Sequence, residues 1–337
     1  MLIRKTLPED LPLLDDIFTQ CRAYMAAEGN PTQWDEKYPT SAVVAEDIKQ
    51  GTGYVCVNDE GKVVASFALG TYEPEYDRLR DGAWHSNTPY VVVHRMGALP
   101  GQGAGQFIFA WLMARYSHIR IDTHEDNKTM RHILGKLGFA YTGVVSYEGY
   151  GDRICFDYVA PESKHEPALL NIRKATAHDL DRLDEIFEGA RQYMYAHHNF
   201  NQWKNGFPNQ SDVLPALEAG ELYVVVDEGH NNAVVGTFVL SDYEPVYDAL
   251  QDGTWQADLP YKVVHRMATV QGRGIGTFIF KLLQAQYPYL RIDTHADNQT
   301  MHNLALKLGF KHVGKVFYDS RNSGWRECYD YLRPSAK

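Results

Sequence analysis

The chain contains the same long stretch written twice. Tyr72-Glu73-Pro74 returns as Tyr243-Glu244-Pro245, and His94-Arg95-Met96 as His265-Arg266-Met267. Arg120-Ile121-Asp122-Thr123-His124 returns as Arg291-Ile292-Asp293-Thr294-His295, and each pair lies 171 positions apart. Solenoid repeats run about 20–50 residues, so a period this long is a whole domain. The chain must fold as two domains of one design, and a residue kept in both copies is marked by the chain itself. Nearer the start the offset is 169 (Trp34 to Trp203), which puts two extra residues in the second copy around Gly229-His230-Asn231-Asn232. That stretch is a polar turn between Val-rich runs, where insertions cost least.

A length of 337 residues suits two domains of about 100–200 residues, each able to bury a core of its own. Boundaries are expected at 1–160 and 170–337. The polar segment 161–169, with Pro161 and Pro167, serves as linker.

Each half has one order of elements. A short strand (Leu2–Lys5; Asn171–Lys174) leads into Thr6-Leu7-Pro8-Glu9 or Thr176-Ala177-His178-Asp179, which read as capping boxes. A helix follows, with Leu11, Leu14, Ile17, Phe18 and Cys21 on one face, matched by Leu180, Leu183, Ile186, Phe187 and Ala190. After a Trp-containing loop comes a hairpin, Tyr54–Val57 with Val63–Leu69, or Tyr223–Val226 with Val234–Leu240. A β-branched strand (Tyr90–Met96; Tyr261–Met267) feeds a glycine-rich loop and an apolar helix. Another strand (Ile119–Thr123; Leu290–Thr294) precedes a short amphipathic helix ending at Gly138 or Gly309. Two terminal strands close each copy. The class is mixed α/β, made twice.

Composition excludes several functions. The apolar fraction of 44% and charged fraction of 23% are those of a globular protein. The net charge of −10 disfavours a nucleic-acid partner, which needs a concentrated basic surface. Four cysteines without a Cys-x-x-Cys pair point to a reducing, cytoplasmic setting. The start, Met1-Leu2-Ile3-Arg4-Lys5, lacks an apolar signal core, and the longest apolar run, Phe107 to Ala114, falls far short of the roughly 20 residues a membrane span requires.

The most informative short motif is Gln271-Gly272-Arg273-Gly274-Ile275-Gly276, between a strand and a helix. Glycines let the backbone approach an anion, and the helix start offers free N–H groups. The pattern suits a diphosphate held by amides, with Arg273 adding charge. The Lys-Ser/Thr pair of a P-loop and the G-x-G-x-x-G spacing of a dinucleotide fold are both missing. By itself the loop is equally a strand–helix turn without a ligand. The order around it resembles the GNAT superfamily of acetyl-CoA-dependent N-acetyltransferases. Here that order is Gln271–Gly276, then Leu290–Thr294, then Asp297-Asn298, then Leu308-Gly309-Phe310. The first copy reads Gly101–Gly105, Ile119–Thr123, Asp126-Asn127 and Leu137-Gly138-Phe139.

The resemblance implies two tandem domains, each a mixed, splayed β-sheet flanked by helices, paired as a pseudo-dimer within one chain or as a homodimer. It implies acetyl-CoA as co-substrate and no metal. By resemblance, Gln271, Gly272, Arg273, Gly274, Ile275 and Gly276 bind pyrophosphate, while Met267, Ala268, Thr269 and Asn298 take the pantetheine arm. The first copy would use Met96, Gly97, Ala98, Gly101, Gln102, Gly103, Ala104, Gly105 and Asn127. Two departures stand out. The first copy has Pro100 where the second has Gln271, and proline has no N–H to offer a phosphate. The tyrosine that many members carry seven residues after the helix Asn, to protonate the leaving thiolate, is Leu134 or Ala305 here. Tyr147 and Tyr318 are substitutes, as is a water.

An amine must lose a proton before it attacks a thioester. His94 and His265 lie in the strand beside the expected thioester and are candidates for base or relay, against a packed histidine within the sheet. Glu73 and Glu244, with Asp77 and Asp248 close by, either receive an ammonium, act as base, or cap the short helix after Pro74 or Pro245. Asp293, His295 and Asp297 match no strong metal motif, and hydrogen bonding at the strand end is the better reading. Trp34 and Trp203 either line an acceptor pocket or close the core. The expected function is acetyl transfer to a primary amine of a small molecule by direct attack, carried by the C-terminal domain. The alternatives are a non-catalytic acyl-CoA sensor, or one catalytic domain on an inactive scaffold.

Overall fold

The computed structural model describes residues 1–161, 169–319 and 324–334. It divides into two compact units, Met1–Pro167 and Ala168–Lys337. Of the predicted linker, residues 162–168 lie outside the described residues.

In the first unit the strands are β1 (Leu2–Lys5), β2 (Gly53–Val57), β3 (Val63–Gly70), β4 (Val91–Ala98), β5 (His118–Thr123), β6 (Ala140–Tyr147) and β7 (Gly151–Val159). The second unit repeats them as β8 (Leu170–Lys174), β9 (Leu222–Asp227), β10 (Ala233–Ser241), β11 (Lys262–Thr269), β12 (Tyr289–Thr294), β13 (Lys311–Tyr318) and β14 (Gly324–Leu332). Each set forms one seven-stranded sheet, in the order β1-β2-β3-β4-β5-β7-β6 and its equivalent in the second unit. The final strand of each copy inserts between its neighbours, so the terminal hairpin is bound to the sheet rather than hanging from its edge.

The long helices α1 (Leu11–Ala27) and α5 (Leu180–Ala196) bury the predicted faces, Leu14, Ile17, Phe18 and Cys21 in one and Leu183, Ile186, Phe187 and Ala190 in the other. Two helices escaped the sequence reading, which ran a loop straight into the hairpin. These are α2 (Ser41–Gln50) and α6 (Gln210–Glu218). They are only 10 and 9 residues long, and Pro215 interrupts the second pattern, so periodicity had little to work on. The glycine loops open α3 (Ala104–Arg115) and α7 (Ile275–Gln286), and α4 (Lys128–Lys136) and α8 (Gln299–Lys307) follow the next strands.

The expected cap at Thr176 is present, with Asp179 accepting from its N–H at 2.8 Å. In the first copy the pattern is displaced by one residue. Asp10, not Glu9, closes the turn, accepting from Leu7 N–H at 2.9 Å. The repeat explains this, because Thr176 aligns with Leu7 at the early offset. Asp10 and Asp179 also take both arms of Arg4 and Arg173. Arg173 beside Asp179 holds that carboxyl down at about 2, although burial works the other way. The two extra residues of the second copy sit in the turn after β9, where Asn231 and Asn232 take φ of 53° and 54°. Asparagine tolerates that left-handed region better than most side chains.

One departure from regular sheet geometry governs the rest. The parallel pairing of β11 with β12 extends only over Lys262↔Leu290 and Val263↔Arg291, and that of β4 with β5 over Val91↔Ile119 and Val92↔Arg120. Beyond it the strands part. On the other side of β11 the register slips by one between Val239↔His265 and Thr237↔Ala268, a bulge centred on Arg266 with φ of 48°. Arg95 does the same in the first copy at φ of 51°. A non-glycine residue held there costs on the order of 1–3 kcal/mol, and such outliers cluster at functional sites. A bulge bends its strand and re-aims the side chains next to it.

Candidate active site

The fork between β11 and β12 opens into a cavity of about 780 Å³ within the second unit. Its walls come from β11, the glycine loop and α7 on one side, and from β12, α8 and the tip of β13 on the other. The turn after β10 and helix α6 also line it. Most of the second-copy residues named from sequence line it: His265, Glu244, Tyr318, Met267, Ala268, Thr269, Gln271, Gly272, Gly274, Ile275, Gly276 and Asn298. Arg273 does not.

The glycine loop is shaped by its backbone. Gly272 and Gly274 take φ of 78° and 65°, and a Cβ on either would project into open space. Their lack of side chains therefore leaves room beside the first turn of α7, whose leading N–H groups have no partner within the helix. Gly276 serves a different need. A Cβ there would meet Leu304 Cδ2 at 3.1 Å and Met267 at 3.7 Å, so it permits α7 and α8 to approach. The first copy has the same backbone, with Gly101 and Gly103 at φ of 75° and 70°, ahead of Ala104 and Gly105.

Arg273 departs from the expectation of a free phosphate ligand. Its guanidinium pairs with Asp227, which also meets His230 Nδ1 at 2.7 Å and accepts from Gly229 N–H at 3.0 Å. The Asp227 side chain is 1% exposed. A buried carboxylate needs a counter-ion, and the pair ties the loop to β9. Burial pushes the Asp227 carboxyl up, but Arg273 and His230 outweigh it and hold it below the ordinary range.

At the bulge, His265 Nε2 lies 3.1 Å from Glu244 Oε2, and Nδ1 lies 3.6 Å from Asp293 Oδ2. The Nε2 atom is buried, and its approach to the carboxylate is off the line of a hydrogen bond, so it has close anionic neighbours but no aligned partner. Glu244 does one of the tasks foreseen for it, the cap. It caps the turn Pro245–Ala249 by accepting from Val246 N–H at 3.3 Å, and it faces His265. Burial raises the Glu244 carboxyl, but His265 and then the Val246 amide pull it below the ordinary value.

The first copy has the same parts, but its carboxyl is shifted in the opposite direction. His94 Nε2 lies 3.3 Å from Glu73 Oε2. Burial, then the adjacent Arg95, push His94 down to about 4. Burial, then the neighbouring Glu75 carboxyl, push Glu73 up to about 7. The second copy has Val246 where the first has Glu75, which removes the competing carboxyl.

Tyr318 donates to Asp293 Oδ2 at 3.0 Å, and Tyr247 donates to the same oxygen at 2.8 Å. The first copy matches, with Tyr147 and Tyr76 on Asp122 at 3.0 and 2.9 Å. Burial, then the facing carboxylate, pushes Tyr318 far above the ordinary tyrosine range. Its proton is engaged, which makes it a poor acid. Tyr247 was missed in the sequence, although Tyr-Glu-Pro-x-Tyr-Asp is repeated in full.

Asn298 caps α8 by accepting from Met301 N–H at 3.1 Å and donates to Gln202 Oε1 at 2.9 Å. Asn127 does the same with Met130 and Gln33 at 3.0 and 2.9 Å. Gln33 and Gln202, next to the noted tryptophans and repeated at the same offset, were overlooked. Gln202 also receives the Thr294 hydroxyl at 3.2 Å and so fixes the strand end to the Trp-containing loop. Trp203 both closes the core, edge-on to Phe187 at 6.0 Å, and lines the cavity. Ala268 and Gly97 turn toward the core beneath α5 and α1, so any contact they make in the cleft is through the backbone. At the strand end, His295 Nδ1 accepts from Asp297 N–H at 3.2 Å, a hydrogen-bonded corner.

No protein-family model and no curated protein matches the chain. Solved structures do. A GNAT-family acetyltransferase of Streptococcus agalactiae is 30% identical, over 49% of this chain and 96% of its own length, at a TM-score of 0.44. A GNAT-family acetyltransferase of Listeria monocytogenes is 18% identical over 48% of this chain and 94% of its own, at 0.35. A phosphinothricin acetyltransferase of Sinorhizobium meliloti, solved with acetyl-CoA, is 15% identical over 49% and 91%, at 0.34. Each match covers about half of this chain. By its 30% identity across nearly the full length of the streptococcal protein, the chain belongs to the GNAT family of acetyltransferases, as two tandem GNAT-like domains.

Proposed function

We propose that the C-terminal domain transfers an acetyl group from acetyl-CoA to the primary amine of a small molecule by direct attack. One observation carries this reading. The glycine loop, the strand edge bared by the fork, and the His265–Glu244 pair all border one cavity of about 780 Å³. That is room for a small acceptor beside a cofactor arm.

The residues fit the group. The open space over Gly272 and Gly274, beside the first turn of α7, is a cradle that any Cβ would fill. Backbone amides of Gln271–Gly276 would hold the diphosphate. Arg273, engaged with Asp227, would act through the loop's position. From Val264 onward β11 has no ladder to β12, so the groups of Met267 and Thr269 on that side are available to an extended arm. Bound there, acetyl-CoA supplies an acyl group activated as a thioester.

Glu244, held ionised, attracts the incoming ammonium, and His265 Nε2 beside it accepts the proton that frees the amine. The C–N bond then forms as the C–S bond breaks. The nitrogen gives up its second proton to water as the amide forms, and the thiolate takes a proton from water or from the imidazolium, because Tyr318 and Tyr247 are both engaged by Asp293. The N-terminal domain, with Pro100 in its loop and a carboxyl near neutrality at Glu73, is the weaker half.

The test is release of free thiol from acetyl-CoA against a panel of primary amines, with binding measured alongside. Amine-dependent release supports the transferase reading. Tight acetyl-CoA binding with no amine accelerating release would give the sensor reading instead.

A further inference from the structure

The two copies treat the bulge arginine in opposite ways. In the first, Arg95 is neutralised from within. Asp47 on α2 accepts from its Nη2 at 2.5 Å and its Nε at 3.3 Å, and the Tyr38 hydroxyl lies 3.4 Å from its Nη1. In the second, the positions of Asp47 and Tyr38 hold Ala216 on α6 and Phe207. Arg266 keeps the same strained backbone, at φ of 48° against 51°, but has lost both partners. Its nearest aromatic neighbour is the Phe207 ring, 5.9 Å from the guanidinium. Its Nε is buried and unpaired, and no hydrogen bond or ion pair to it occurs among the described residues. Glu221, where the first copy has Thr52, borders the same cavity without pairing to it.

Arg266, Ala216 and Phe207 all line the cleft that holds Glu244 and His265. The Arg266 Nε is a donor shut off from water without a partner, and the planar fork of a guanidinium matches a carboxylate or a phosphate. Beside it, Glu244 presents a negative charge. The cleft thus offers one anionic and one cationic handle, and keeps open a cation that its own sister domain closes.

We propose that Arg266 binds an anionic group of the acceptor, so that the substrate is a primary amine that also bears a carboxylate or phosphate. This rests on the transferase reading for the reaction, but the binding site stands on Arg266 alone. The first domain, with Arg95 satisfied by Asp47, has no such site.

The experiment is calorimetric binding to the full chain in the absence of acetyl-CoA. The probes are the protein amino acids, each against its amide, and O-phosphoethanolamine against ethanolamine. At least one anionic amine should bind about tenfold or more tightly than its uncharged counterpart. Arg266→Gln should bring that ratio close to one. Ala216→Asp, which restores the carboxylate the first copy uses, should do likewise, and it decides the matter if the arginine variant fails to fold. The amino-acid and phosphate arms show which anion is preferred. The inference is overturned if no anionic amine outbinds its partner, as it would be if Glu221 closed on Arg266 in solution, or if the ratio survives in a folded variant. A parallel acetyl-CoA titration keeps the two readings apart. Loss of that binding defeats the transferase, whatever the anion comparison gives.

Discussion

Glu73 and Glu244 show how differently the two copies treat one repeated His–Glu pair. The two copies hold the same His–Glu contact, yet burial and then Glu75 raise the Glu73 carboxyl, whereas His265 holds Glu244 below the ordinary value. If His265 is the base, His265→Ala should lower kcat on a primary amine about a hundredfold while leaving acetyl-CoA affinity near wild type. An equal loss in affinity would assign it to packing. The first copy makes a prediction about stability. Glu73, lifted to about 7 from an ordinary 4.5, binds a proton in the folded state that the unfolded state has lost. Its contribution is therefore present below pH 4.5 and is lost as pH rises through 7. His94, lowered to about 4 from 6.5, acts in the opposite sense, costing stability as pH falls from 6.5 toward 4. The two oppose each other between 4.5 and 6.5. Glu73→Gln should unmask the histidine, so that denaturant stability of the first domain rises with pH across that window, by on the order of 1 kcal/mol once solvent screening is allowed for. A flat profile in the variant would refute the assignment. Residue types were legible in the sequence here because they repeat. Their charge states were not, since these depend on burial and on neighbours that only folding brings together.

At the scale of elements, the strands and long helices were readable from their periods, and their ends moved by only one or two residues. The fork was expected only through the family resemblance, and the bulge was not readable at all, because a register slip leaves no mark in composition. The residue that carries it is an arginine in an otherwise ordinary β-branched run. Compensation between copies was a readable signal that went unused. Arg273 with Asp227 becomes Gln102 with Asn58, charged in one copy and neutral in the other, as partners should change. Gly97 with Cys21 likewise becomes Ala268 with Ala190, which conserves volume beneath the helix. The turn carrying Glu244 is held against β13 by the bridge Gln251↔Lys315. A Cβ at Gly253 would fall 2.1 Å from the Val313 carbonyl oxygen. Gly253→Ala must therefore push the turn off the sheet. It should cost about 2–3 kcal/mol and, by moving Glu244, lower turnover beyond what the lost stability explains. Normal activity in a folded variant would mean that the bridge does not position the site.

At the scale of the whole molecule, duplication gives each half the same scaffold and then lets the two diverge in what they bind. The divergence is concentrated at three points. The loop has Pro100 against Gln271, the carboxyl pair has Glu75 against Val246, and the bulge arginine has Asp47 against Ala216. The first removes an amide N–H from the first copy, the second adds a competing carboxyl and the third closes its arginine, whereas both copies hold that arginine at the same positive φ. A chain with two equal sites would bind two acetyl-CoA molecules. This one is expected to bind one, measured as calorimetric stoichiometry on the full chain. Gly274→Glu and Gly103→Glu form a matched pair for the test. Both replace a glycine at positive φ, 65° and 70°, and both carry the same strain of roughly 1–2 kcal/mol. Each places a carboxylate where a diphosphate would lie, so folding costs cancel between them and only the binding difference remains. Gly274→Glu should abolish the site, and Gly103→Glu should leave one molecule bound per chain. Two molecules bound by the unaltered chain, or equal losses from the two variants, would show that Pro100 does not disable its loop and that the halves share the work.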